Sequence, residues 1–142
     1  MIESIEEVVR KTENKLQVQL RKIKRKKVIY DGCRSDGTSV ILISPHSKQH
    51  EKGCGWVDIT KIQRDLTNEY KVAIIAFRLP KTNTYYVDFN KLKTYLTEKT
   101  MMYNEREGEH WKLYIWPTEI QIRNCQNRLE VLPNNLQACS FK

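Results

Sequence analysis

Ile2, Ile5, Val9, Leu16, Leu20 and Ile23 recur at steps of three and four residues or their sum. At about 100° per residue these side chains share one stripe, which predicts an amphipathic first helix from Ile2 to Ile23. Glu13 falls inside the stripe and Glu6 at its edge. A carboxylate facing a core is costly unless something pairs with it, so Glu13 is expected to take a cation or reach the rim. Further on, Val28–Tyr30 reads as a short β segment, Asp31–Gly37 as a turn, and Ser39–Ser44 as a strongly apolar strand ended by Pro45.

The stretch Pro45–Gly55 is polar and leads into a strand at Trp56–Ile59, with Thr60 as the N-cap of a short helix through Asn68. Tyr70–Leu79 contains the run VAIIAF, apolar on both faces, as in a central strand covered by helices on each side. Tyr85–Phe89 is the returning strand, and Asn90 caps a helix to about Met102. In His110–Trp116, Trp111, Leu113 and Ile115 alternate onto one face, and Thr118–Arg123 and Arg128–Leu132 are weaker strand candidates. This order predicts one layered α/β or α+β domain over 1–142, a mixed β-sheet flanked by helices, with an extra C-terminal strand region at 110–142.

Charge adds a partner. The chain has 25 Lys plus Arg against 17 Asp plus Glu, a net charge of +8. Met1–Lys27 holds nine cations and four glutamates, so +5 comes from that segment. Arg21, Lys22, Lys24, Arg25, Lys26 and Lys27 are six cations in seven residues, a density that phosphate backbones reward through counterion release. Arg34 joins this set, and nucleic acid is the leading partner. The longest unbroken apolar run, Val72–Phe77, is six residues, too short to span a bilayer, and Met1–Val9 carries three glutamates where a signal peptide is basic. The expected location is cytoplasmic. Cys33, Cys54, Cys125 and Cys139 are widely spaced with no CxxC pair, which fits reduced thiols.

No P-loop, GxGxxG, HExxH or GxSxG pattern occurs. Asp31, Asp36, His46 and Lys48 instead cluster around one apolar hairpin just after the basic segment. A metal-dependent phosphodiesterase uses carboxylates to hold magnesium and a lysine or histidine to orient water and offset charge on the scissile phosphate. Trp56, Trp111, Trp116 and the tyrosines are expected as core and sheet residues rather than base-stacking platforms.

With its helix, three strands, helix and strand, the segment Ile2–Leu96 resembles the PD-(D/E)XK, or restriction-endonuclease-like, nuclease superfamily. GWVDITKIQRDL, containing Gln63, followed by YKVAIIAFRLPKTNTYYVDFNKL, is similar to the second helix, buried fourth strand and hairpin of resolvase-like members. The resemblance places Asp31 of YDG at the first metal-binding aspartate and SVILISPHSK at the strand that ends in Glu-x-Lys, with Lys48 as the lysine. His46 then stands where the family has its glutamate. An alternative register puts Ser44 and His46 on the Glu and Lys positions, and a third takes Asp36 with Gln49 or Glu51 and Lys52, aided by Glu13 from the first helix.

The resemblance implies a magnesium-dependent DNA endonuclease acting as a homodimer. Asp31 with Asp36 or Glu13 would hold Mg2+, Lys48 and His46 would act on the water, and the basic run would grip DNA. Trp111, Leu113 and Ile115 are candidates for the dimer surface. A catalytically inactive nucleic-acid-binding module on the same fold is the alternative, and a metal-free ribonuclease using His46 or His110 is a third reading.

Overall fold

The computed structural model describes residues 3–23, 28–45, 47–49, 54–79 and 83–136, with the side chains of Lys48 and Gln49 left aside. It is a mixed α+β fold of two β-sheets and three short helices. Helix α1 (Ile5–Leu16) opens at Ser4, whose hydroxyl accepts from the Glu7 N–H at 3.2 Å, and Glu6 and Glu7 favour its positive end. It stops seven residues before Ile23. Gln17 turns left-handed at φ 53°, and the Glu13 carboxylate accepts the Leu20 N–H at 2.8 Å. The partner of Glu13 is therefore a backbone amide, not a cation, and the stripe beyond Leu16 belongs to an extended linker.

In chain order the strands are β1 (Arg21–Lys22), β2 (Ile29–Cys33), β3 (Ser39–Ile43), β4 (Lys48–Gln49), β5 (Gly55–Thr60), β6 (Val72–Arg78), β7 (Thr84–Asp88), β8 (Met102–Asn104), β9 (Gly108–Ile115), β10 (Glu119–Ile122) and β11 (Arg128–Glu130). The first sheet runs β1-β2-β3-β6-β7. Its first three strands form an antiparallel meander, and β6 lies parallel to β3, with Val40 opposite Val72 and Ile43 opposite Ile75. The second sheet runs β11-β10-β9-β5-β4, with β8 beside β9, and all its pairs are antiparallel.

Helix α1 covers one face of the first sheet and the second sheet covers the other. On β3 and β6, Val40, Leu42, Val72, Ile74 and Ala76 join Val8 and Leu16 of the helix. The alternate residues Ile41, Ile43, Ala73, Ile75 and Phe77 meet Val57, Ile59, Trp111, Leu113, Ile115, Ile120 and Ile122 of the second sheet. VAIIAF is thus buried on both faces as expected, but by one helix and one sheet rather than by two helices. Trp111, Leu113 and Ile115 lie inside this core, all at most 1% exposed, so they cannot supply a dimer surface.

Two local features hold the layers in place. The linker after α1 crosses β2 so closely that a Cβ at Gly32 would lie 2.1 Å from the Gln19 carbonyl oxygen, a separation only glycine permits. Ahead of α1, Glu3 accepts from the Thr84 hydroxyl at 2.7 Å and the Tyr86 hydroxyl at 3.3 Å and pairs with Lys11, tying the chain start to β7. Burial pushes the Glu3 pKa up, but these donors outweigh it and hold it below the usual carboxylate range.

The path from β3 to β6 passes through β4 and β5 of the second sheet and then α2 (Lys61–Leu66). The Thr60 hydroxyl accepts from Gln63 N–H at 3.1 Å while the Gln63 side chain accepts from Thr60 N–H at 3.0 Å, a reciprocal capping box. Helix α3 (Phe89–Leu92) is capped by Asp88 and gives way to a 3-10 turn at Lys93–Tyr95, well short of Met102. Thr100 ends it, its hydroxyl lying 3.0 Å from the Tyr95 carbonyl, which it can donate to in place of a continuing helix. No helix among the described residues is long and apolar enough to cross a membrane.

Candidate nucleic-acid interface

The carboxylates expected to hold magnesium do not converge. Asp31 sits on β2 opposite Ile41, on the face turned toward the second sheet, where Ile29 is core. There its Oδ2 accepts the Tyr70 hydroxyl at 2.5 Å. Desolvation of the phenol, together with the Asp31 carboxylate, pushes the Tyr70 pKa up to about 12. Glu13 lies beyond the other face of the sheet, on α1, committed to the Leu20 amide. Asp36 is exposed in the β2–β3 turn, where it accepts Thr38 N–H at 3.0 Å and faces Arg34 at 3.9 Å. The Thr38 hydrogen bond holds the Asp36 carboxyl below its usual range.

Lys48 pairs through its backbone with Trp56 at the edge of the second sheet, past the end of β3, whereas Asp31 lies opposite Ile41 at the middle of β3 in the first sheet. His46, Glu51, Lys52 and His50 lie outside the described residues. No group of three or more His, Cys, Asp or Glu suited to a metal occurs among the described residues. The residues that are described therefore do not fit a magnesium site, because strand alternation and the α1 layer separate Asp31 from Glu13. His110, the other general acid or base candidate, is buried, with its Nδ1 2.8 Å from the Gly108 carbonyl.

The cations fare differently. Arg21 and Lys22 form β1, the exposed edge strand of the first sheet, aligned with Asp31 and Tyr30 of β2. Neither takes part in an ion pair among the described residues. Ile23 N–H donates to the Ile29 carbonyl at 2.9 Å, which carries the β1–β2 pairing one residue further. Lys24, Arg25, Lys26 and Lys27 lie outside the described residues. Arg21 and Lys22 thus lie on a short strand, not at the helix end that the stripe predicts.

The outer face of the second sheet holds residues that the hydrophobic pattern alone assigns to the core. Trp56, Tyr114, Gln121 and Arg128 stand opposite one another across β5, β9, β10 and β11. Trp56 and Tyr114 alternate with the buried Val57, Leu113 and Ile115, so they face away from the core, and both are half-buried. The Lys112 ammonium lies 5.3 Å from the Trp56 ring centroid, and Trp116 Nε1 donates to the Gln121 side chain at 3.2 Å. The parity of GWVDIT and HWKLYI carries this division, since residues two apart share a face.

No protein-family model, no curated protein and no solved structure matches the chain.

Proposed function

We propose that this protein is a DNA-binding module on a nuclease-like α+β fold, gripping the phosphate backbone with the basic edge of its first sheet. The observation that carries the reading is the exposed β1 strand, whose Arg21 and Lys22 are free of ion pairs among the described residues at the head of a run of six cations. A two-stranded ribbon with cations along its edge offers several donors to successive phosphates, and each phosphate contact releases counterions. The succession of α1, an antiparallel meander and a crossover to a parallel strand supports kinship in fold with the nuclease superfamily. The dispersal of Asp31, Asp36 and Glu13 favours binding over magnesium-dependent cleavage.

The test is fluorescence anisotropy with a labelled duplex, repeated with magnesium and with chelator, followed by a denaturing gel of the same samples. The duplex is bound in both conditions and recovered intact, and Arg21→Ala with Lys22→Ala weakens binding several-fold. A duplex cut only with magnesium restores the endonuclease reading, and a wild-type protein that binds no DNA sinks the proposal.

A further inference from the structure

We propose that the outer face of the second sheet is a second DNA contact that takes an unpaired strand, with bases stacked on Trp56 and Tyr114. This inference rests on the DNA-binding reading above and names the form of DNA that the second surface selects.

Strand alternation gives the sheet an apolar inner face and an outer face on which Trp56, Tyr114 and Trp116 lie. None of the three belongs to either core cluster, whereas Trp111, one position from Lys112, is fully buried in the larger one. An antiparallel sheet with one wet face ordinarily fills it with polar residues, so three large aromatics there require another use. Base stacking is such a use: it is insensitive to sequence, because every base has a π-face. A duplex hides those faces, so the occupant is single-stranded.

The polar neighbours suit the same ligand. The row Trp56, Tyr114, Gln121, Arg128 crosses four strands, about 14 Å at the usual strand spacing. Gln121 offers an amide to a base edge. Lys112 lies beside Trp56 and pairs in register with Asp58, whose Oδ1 is buried without a hydrogen-bond partner among the described residues. Glu119 and Glu130 face each other at the far end of the sheet, and Arg128 pairs with Glu119. The favourable charge thus lies on the Lys112 side, and Arg123 follows at the end of β10, exposed, with its N–H on the Lys112 carbonyl at 2.9 Å.

The experiment titrates the intact protein with oligo(dT) of about ten nucleotides, the length range of one stacking platform. Tryptophan emission is followed, since Trp56 stands in the row and Trp116 shares its face while Trp111 is enclosed. Oligo(dT) quenches the wild-type emission. Tyr114→Leu weakens oligo(dT) binding roughly tenfold, the loss of one stacked base, while Tyr114→Phe retains it. Duplex binding is unchanged in both variants, which also shows that they are folded. A protein that binds duplex but gives no quenching with oligo(dT), or a Tyr114→Leu variant with undiminished affinity, overturns this inference and leaves the basic-edge reading standing. Oligo(rU) bound more tightly than oligo(dT) overturns the assignment to DNA. Failure to bind duplex and oligo(dT) alike removes the underlying reading as well.

Discussion

The two sheets of this protein are built on the same alternation but are covered differently. The first has α1 on one side and the second sheet on the other, and its central strands are apolar at every position from Val40 to Ile43 and from Val72 to Phe77. The second has one covered face, and its strands alternate: Val57 and Ile59 inward with Trp56 and Asp58 outward, Trp111 and Leu113 inward with Lys112 and Tyr114 outward. A doubly covered strand spends its whole side-chain set on packing. A singly covered strand keeps every second residue for water or for a partner, so binding chemistry is expected on the second sheet and on the first sheet's edge, not at its centre.

The sharpest test of that contrast is a pair of truncations on β9. Trp111→Ala removes a fully buried indole whose Nε1 donates to the Thr97 carbonyl at 2.8 Å, and costs about 3–5 kcal/mol. Tyr114→Ala, on the wet face, costs about 1 kcal/mol or less. Urea denaturation of both variants reads the difference, and equal losses would mean that something covers the outer face.

Gly32→Ala probes the layer above the first sheet. Its methyl would meet the Gln19 backbone, so the linker has to shift, at a cost of about 1–3 kcal/mol in urea midpoint analysis. A neutral substitution would show that the linker is not held against β2. Thr60→Ala removes one half of the capping box where the second sheet hands over to α2, a loss of about 1 kcal/mol by the same measurement. The smallest effect is at Tyr70. Its pKa is raised to about 12 from an ordinary 10.0, so its contribution to stability is full below pH 10 and is lost as pH rises through about 12. Phenolate absorbance compared between wild type and Tyr70→Phe detects the late-titrating group, and a Tyr70 signal at the ordinary value would show that the phenol is neither buried nor bonded to Asp31.

Most of the fold was legible from hydrophobic period. The runs VILI and VAIIAF marked the central strands, and Thr60 marked the start of α2. The end of α1 was not legible, because Leu20 and Ile23 keep the helical spacing although they lie beyond the helix end at Leu16. The helix ends at the left-handed Gln17, and beyond it the Glu13 side chain reaches seven residues ahead to the Leu20 amide, a bond that no local propensity encodes. The dispersal of the proposed metal set has a related reason. Asp31 and Asp36 are close in sequence, but one faces the second sheet and the other sits in a turn, while Glu13 lies on α1 across the opposite face. Parity within each strand sets Trp111, with Leu113 and Ile115, apart from Trp56, which alternates with Val57, and the pairing of β5 with β9 brings Trp56 beside Tyr114.

The central claim is that the edge of the first sheet grips phosphates, and the salt dependence of duplex binding tests it most directly. Log Kobs against log salt is measured for the wild type and for Arg21→Ala with Lys22→Ala. The account predicts a steep negative slope for the wild type, shallower by about two in the double variant, close to one unit per lost phosphate contact. Identical slopes in the two proteins would place the phosphate contacts elsewhere and contradict it.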